Sequence, residues 1–98
     1  ASFDPTWVLV SCGFDSHADD LLGSLGLREG DYADLTRRCA ELVPAGRRIV
    51  FLEGGYELAA IAASAGACVR ALAGDEFHGR RTRGGPGMDV VEKVSRLL

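Results

Sequence analysis

Two short apolar runs, each closed by glycine and then by one chemically capable side chain, constrain this chain more than any other feature. The first is Trp7-Val8-Leu9-Val10-Ser11-Cys12, followed by Gly13-Phe14-Asp15, and the second is Arg48-Ile49-Val50-Phe51-Leu52-Glu53, followed by Gly54-Gly55-Tyr56. β-Branched and aromatic residues without clean alternation predict strands over 7–12 and 48–53 that are buried on both faces, as in a parallel sheet. A stretch of helical length lies between them, so the economical reading is a β-α-β unit in an α/β protein. Both strands then point the same way, and Asp15 and Tyr56 emerge at the same sheet edge. That edge, beyond the strand carboxyl ends, is where open α/β folds place their ligands.

The connecting pieces follow from periodicity and turn chemistry. Residues 15–30 form a long βα loop, and loops of that length in compact domains are often functional. Leu21 and Leu22 are expected to fold back onto protein, because adjacent leucines in a polar loop are costly to leave wet. Gly30-Asp31 opens a helix with Asp31 as its cap, and Tyr32, Leu35, Cys39, Leu42 and Val43 predict its buried stripe. Pro44-Ala45-Gly46 turns the chain into the second strand. A second, alanine-rich helix carries Leu58, Ile61, Ala65, Val69 and Leu72; its Gly66 lowers helix propensity unless close packing compensates, and Gly74 is its C-cap. Residues 75–87 lack an apolar pattern and predict an exposed, mobile loop. Residues 88–98 close the chain as a short helix with Val90, Val91, Val94, Leu97 and Leu98 on one side.

With 98 residues the chain makes at most one small domain. A parallel pair leaves two sheet edges to be covered, so a piece of a larger domain, or a chain that completes its sheet with a partner, is expected. The start at Ala1 rather than at a methionine agrees with a piece. A net charge of −3 argues against non-specific binding to nucleic acid or an anionic membrane. Cys12, Cys39 and Cys68 are odd in number and widely spaced, which supports neither a disulfide scaffold nor a zinc knuckle and makes a reducing cytoplasm the default. No apolar run approaches the roughly 20 residues that span a bilayer.

Asp15 can serve as a metal ligand or charge partner, or as a plain loop carboxylate; Asp19 and Asp20 nearby would repel it less with a cation present. His17 makes an Asp-x-His pair with Asp15, although a solvent-facing loop histidine is the expectation, and His78 lies in the polar loop. Tyr56 follows two glycines that leave the backbone uncovered. Its phenol can either donate to a developing oxyanion or simply cap the sheet edge in water. Glu53 is expected to be a structural carboxylate bonded to loop amides or an arginine. No glycine-rich phosphate motif, His-Glu-x-x-His or nucleophile elbow is present. Arg80-Arg81-x-Arg83 lacks interleaved aromatics and predicts solvated surface.

Three motifs in order, Trp7 to Asp15, then Asp20-Leu21-Leu22-Gly23, then Leu52-Glu53-Gly54-Gly55-Tyr56 with the small-residue helix behind it, resemble the zinc-dependent histone deacetylase family. The resemblance is to the carboxyl-terminal part of its catalytic domain, on the side that includes acetylpolyamine amidohydrolases and acetoin-utilisation proteins, and covers roughly residues 5–73. It implies a three-layer arginase/deacetylase fold, of which this chain holds two parallel strands and about three helices. It implies that Asp15 is the third Zn2+ ligand, that Tyr56 stabilises the oxyanion, and that Gly54, Gly55 and Leu22 line the channel for an acetyl-lysine or acetylated polyamine arm. His17 matches no ligand of the family, and Leu21 stands where the family usually has proline.

The other two ligands and the proton-handling histidines of the family lie upstream and have no counterpart here. The 98 residues are thus expected to be the C-terminal portion of a single domain, inactive alone. The parent is expected to be a cytoplasmic enzyme hydrolysing an amide by metal-activated water, with the missing N-terminal part as partner and no direct contact with nucleic acid or membrane. The competing reading is a non-catalytic α/β module serving packing or partner binding. A nucleotide-binding domain is opposed by the acidic loop before the first helix, which repels phosphate.

Overall fold

The computed structural model describes residues 3–23, 25–75 and 79–98. Along the chain run β1 (Val8–Cys12), α1 (Glu29–Ala40), a 3-10 turn (Ala45–Arg47), β2 (Arg48–Leu52), α2 (Leu58–Leu72) and α3 (Met88–Leu97). β1 and β2 pair in parallel with Val8 opposite Arg48 and Cys12 opposite Leu52, so the crossover through α1 makes the expected β-α-β unit. Both strands therefore end level, which sets the two loops that follow side by side.

One face of the sheet is covered and the other is open. Val10, Cys12 and Val50 join Phe14, Leu27, Tyr32, Ile61, Ala65 and Cys68 in the core, with α1 and α2 on that face. Leu9, Ile49 and Phe51 alternate onto the opposite face and are exposed. Burial on both faces is thus not found within this chain. The apolar residues for it are present, but among the described residues no layer covers the second face, and the amphipathic α3 buries none of its residues.

The two packed helices touch through their smallest residues. Ala33 of α1 meets Ala67 and Ala71 of α2, which lets the helix backbones approach closely. The buried stripe of α1 is rotated from the one expected: Tyr32, Ala33, Thr36 and Ala40 are buried, whereas Leu35 and Leu42 are half exposed. Periodicity alone favoured the larger side chains, but a partner helix lined with alanine selects the small face. Gly66 lies on the outside of α2, where a methyl group would meet nothing within 4 Å, so close packing does not explain it.

Arg28, not Asp31, caps α1; Asp31 sits in the first turn and its carboxylate accepts the Arg28 amide at 2.8 Å. At its far end α2 stops in a left-handed Gly74, with the Asp75 amide bonded to the Arg70 carbonyl and the Gly74 amide to Ala71. This paired closure is what a glycine just past a helix end permits. No helix among the described residues is long and apolar enough to cross a membrane.

Candidate functional site

At the end of β1 the chain alternates inward and outward once more before turning. Cys12 and Phe14 enter the core, Phe14 with its ring edge-on to Tyr32 at 5.0 Å, and Asp15 is left exposed at the sheet edge. The inter-strand bonding continues past both strands, with the Glu53 amide donating to the Cys12 carbonyl at 3.0 Å and the Phe14 amide to the Gly54 carbonyl at 2.8 Å. That bonding holds Gly54 against Asp15: a Cβ on Gly54 would stand 3.2 Å from Asp15 Oδ2. Next in line, Gly55 has φ +139 and its open side faces Ile61, so a side chain there is both strained and crowded. Tyr56 follows with its side chain 60% exposed. The strand ends thus bring Asp15, Gly54, Gly55 and Tyr56 to one edge, as expected from the sequence.

The loop after Asp15 is held by a buried polar chain that the sequence reading missed. His17 is 1% exposed and its ring stacks parallel to Tyr32 at 6.5 Å. Its Nδ1 accepts the Asp19 amide at 3.0 Å, which leaves Nε2 as the protonated nitrogen, donating to Glu29 Oε2 at 3.0 Å. Glu29 in turn takes Arg80 Nε on Oε1 at 2.8 Å. The expectation of a solvent-facing His17 is corrected: Glu29 meets its buried N–H, so burial leaves no orphan donor.

The arginine stretch is exposed, as expected, and it also makes ion pairs that the sequence reading did not foresee. Arg80 bonds Glu29, Arg81 forks onto Asp34 at 2.9 and 3.3 Å, and Thr82 donates to Asp31. The Arg80 carbonyl also takes the Gly30 amide at the start of α1. Residues 80–82 are therefore strapped across the acidic N-terminal turns of α1 while staying exposed: Glu29, Asp31 and Asp34 suit the positive end of the helix dipole, and the arginines pair with those carboxylates. His78 lies outside the described residues.

Hydrogen bonding from Arg80 outweighs burial and pulls the Glu29 carboxyl down from 4.5 to about 2. A depressed carboxylate adds stability that is present above its unfolded pKa and lost as pH falls through the folded one. Glu29→Gln in the parent should lower the urea midpoint near neutrality, and the gap from wild type should close between pH 4.5 and about 2. Denaturation curves across that range check it; a gap constant with pH would remove the charge from the account.

Asp20, named in the sequence only as a neighbour of Asp15 and as a motif residue, turns out to be a buried tie. Only 6% exposed, it accepts the Leu22 and Gly23 amides on Oδ1 at 2.8 and 3.1 Å and the Tyr56 amide on Oδ2 at 2.7 Å. Burial works to raise its pKa, but the amides of Leu22, Tyr56 and Gly23 prevail and hold the carboxyl below its ordinary range. One carboxylate thus joins the loop after β1 to the loop after β2. Leu21 and Leu22 do not fold back; they are 85% and 74% exposed, standing out beside the carboxylate that fixes their backbone. Gly23 passes so close to Asp15 that a Cβ would run into the Asp15 carbonyl. Gly23→Ala should cost about 1–3 kcal/mol of stability, read from the thermal midpoint, because backbone on one side must give way.

Glu53 is also corrected: it accepts the Ser11 hydroxyl at 2.6 Å on the exposed face, with neither a loop amide nor an arginine on it among the described residues. Cys12 and Cys68 are buried free thiols with sulfurs 4.0 Å apart, and burial pushes Cys12 up to about 11, so these thiols are core residues rather than ligands. Among the described residues no three His, Cys, Asp or Glu side chains gather to hold a metal. At the strand edge the Asp15 carboxylate is exposed and accepts no hydrogen bond from a described residue, which leaves its oxygens available to a cation.

A family model described as the histone deacetylase domain matches residues 1–72. The chain is 40% identical over 77 residues to the type-2 histone deacetylase 1 of Dictyostelium discoideum, covering 76% of this chain and 5% of that protein. To the histone deacetylase clr3 of Schizosaccharomyces pombe it is 43% identical over 72 residues, covering 74% of this chain and 10% of that one. Among solved structures, that of the histone deacetylase Clr3 superposes with a TM-score of 0.77 at 35% identity, over 98% of this chain and 16% of that one. The crystal structure of the HDA15 HD domain gives 0.74 at 33%, over 98% of this chain and 26% of that one. This chain therefore spans a small part of the proteins it matches.

Proposed function

This chain belongs to the histone deacetylase family, and from that premise we propose that it is the C-terminal portion of a deacetylase catalytic domain, carrying one zinc ligand and the oxyanion donor. The observation that carries the reading is the shared strand edge: Asp15 and Tyr56 follow two level parallel strands, with Gly54 pressed against the Asp15 carboxylate. An exposed carboxylate and an exposed phenol a few residues beyond adjacent strand ends are the two groups that amide hydrolysis at a metal asks of this side of a site.

In this reading Asp15 would hold Zn2+ together with ligands from the rest of the domain, and the ion would supply Lewis acidity for amide hydrolysis. Tyr56 turns its hydroxyl toward the carbonyl oxygen and donates a hydrogen bond that strengthens as negative charge builds there. Gly54 and Gly55 leave the backbone bare so that a narrow acyl-amine arm can pass, and Leu22 supplies an apolar wall to its methylenes. The substrate is an acetyl-lysine or an acetylated polyamine, and the products are acetate and a free amine. The setting is cytoplasmic, the partner is the N-terminal part of the same domain, and neither nucleic acid nor membrane is bound directly. The 98 residues alone do not turn over substrate, since one ligand and one donor do not make an open three-ligand metal site.

The test is metal analysis of the full-length parent with hydrolysis assays on an acetyl-lysine peptide and an acetylated polyamine. Stoichiometric zinc and turnover of either amide are the expected result. A parent with neither would leave the fold as a packing or binding module.

A further inference from the structure

We propose that Asp20 is a positioning residue for the oxyanion donor, tying Tyr56 to the channel wall at Leu22; the proposal rests on the role given above to Tyr56. Its buried carboxylate is shared between two loops that otherwise meet through backbone contacts near Gly54. Oδ1 takes two amides of its own loop, those of Leu22 and Gly23, and Oδ2 takes the amide of Tyr56 at 2.7 Å, across 36 residues of sequence. A carboxylate accepting three amides forms strong, charge-assisted bonds with fixed directions.

The need for such a tie follows from what surrounds Tyr56. The side chain is 60% exposed, and Gly54 and Gly55 before it contribute no side chains to steady it. Behind it, α2 begins only at Leu58. The Asp20 bond therefore fixes the backbone amide of the very residue whose hydroxyl must meet a carbonyl oxygen, and misplacement by about 1 Å of a group in such a site costs roughly 100-fold in rate. Because Oδ1 sets the Leu22 amide at the same time, the apolar wall and the donor keep one spacing, and the depth at which an acyl group stops is set against the phenol.

Asp20→Asn keeps the shape and one acceptor but offers an NH2 where an amide must be accepted. In the full-length parent we expect kcat to fall at least tenfold with zinc content unchanged and KM moved less than threefold. Combined with Tyr56→Phe, the same change should lower kcat by less than twofold further, since a residue acting through the phenol has nothing left to position. Additive losses in the double variant, or an unaltered kcat in Asp20→Asn, would overturn the positioning role while leaving Tyr56 as donor. Full activity in Tyr56→Phe alone would instead remove the donor reading and this proposal with it. A measurement on the unaltered parent guards against a variant that does not fold: amide hydrogen exchange at Tyr56 should be slow despite its exposed side chain, and exchange at the rate of open loop amides would equally overturn the tie.

Discussion

Asp15→Ala in the full-length parent will abolish amide hydrolysis and release the metal. A zinc site built from three protein ligands loses one outright, whereas changes merely behind the ligands cost 10–100-fold in affinity. Zinc binding should therefore weaken by more than about 100-fold, read by metal content after dialysis against a mild chelator. The fold should survive, because Asp15 is exposed and its carboxylate accepts no hydrogen bond from a described residue. Thermal unfolding close to wild type, loss of zinc and loss of turnover together define the ligand role. Zinc retained at wild-type occupancy would assign Asp15 to the loop and not to the metal.

The second large effect is the opposite combination. Tyr56→Phe removes one hydroxyl from an exposed ring and should leave zinc content and folding untouched. Removing a single oxyanion donor typically lowers kcat by about 100- to 1,000-fold, and KM should hardly move, because the bond is made chiefly in the transition state. Steady-state kinetics on an acetyl-lysine peptide or an acetylated polyamine, whichever the parent hydrolyses, decide it. A rise in KM at constant kcat would make Tyr56 a substrate-binding group instead.

The two variants are expected to separate because the proposal gives two residues of one edge different work, and that edge was visible in the amino-acid sequence. The apolar runs before Asp15 and Tyr56, and the helix between them, suffice for a parallel β-α-β unit with both groups at one end. What escaped were side-chain ties to partners farther along the chain, among them His17 to Glu29, Asp20 to Tyr56, and Glu29 to Arg80. In isolation these residues look like solvated loop polarity, since nothing in local spacing marks a histidine or carboxylate that will be buried with its partner. One signal was available for Asp20, which opens the same short motif as Leu22 and so sits within reach of the loop it fixes. The errors over Leu21, Leu22 and the second sheet face share a physical root. Their apolar character was read as burial within the chain, whereas hydrophobicity specifies removal from water and not which segment supplies the cover.

The strap at residues 80–82 bears on where this unit can be trimmed. The family match stops at residue 72, yet the guanidinium that neutralises Glu29 lies at Arg80. A chain shortened to the span of the family model would keep both strands, α1 and α2. It would also leave Glu29 without the Arg80 guanidinium beside the His17 ring. Arg80 is itself 59% exposed, so what is lost is a charge-assisted hydrogen bond onto the Glu29 that receives the His17 N–H. The relaxation would start beneath the loop that presents Asp15.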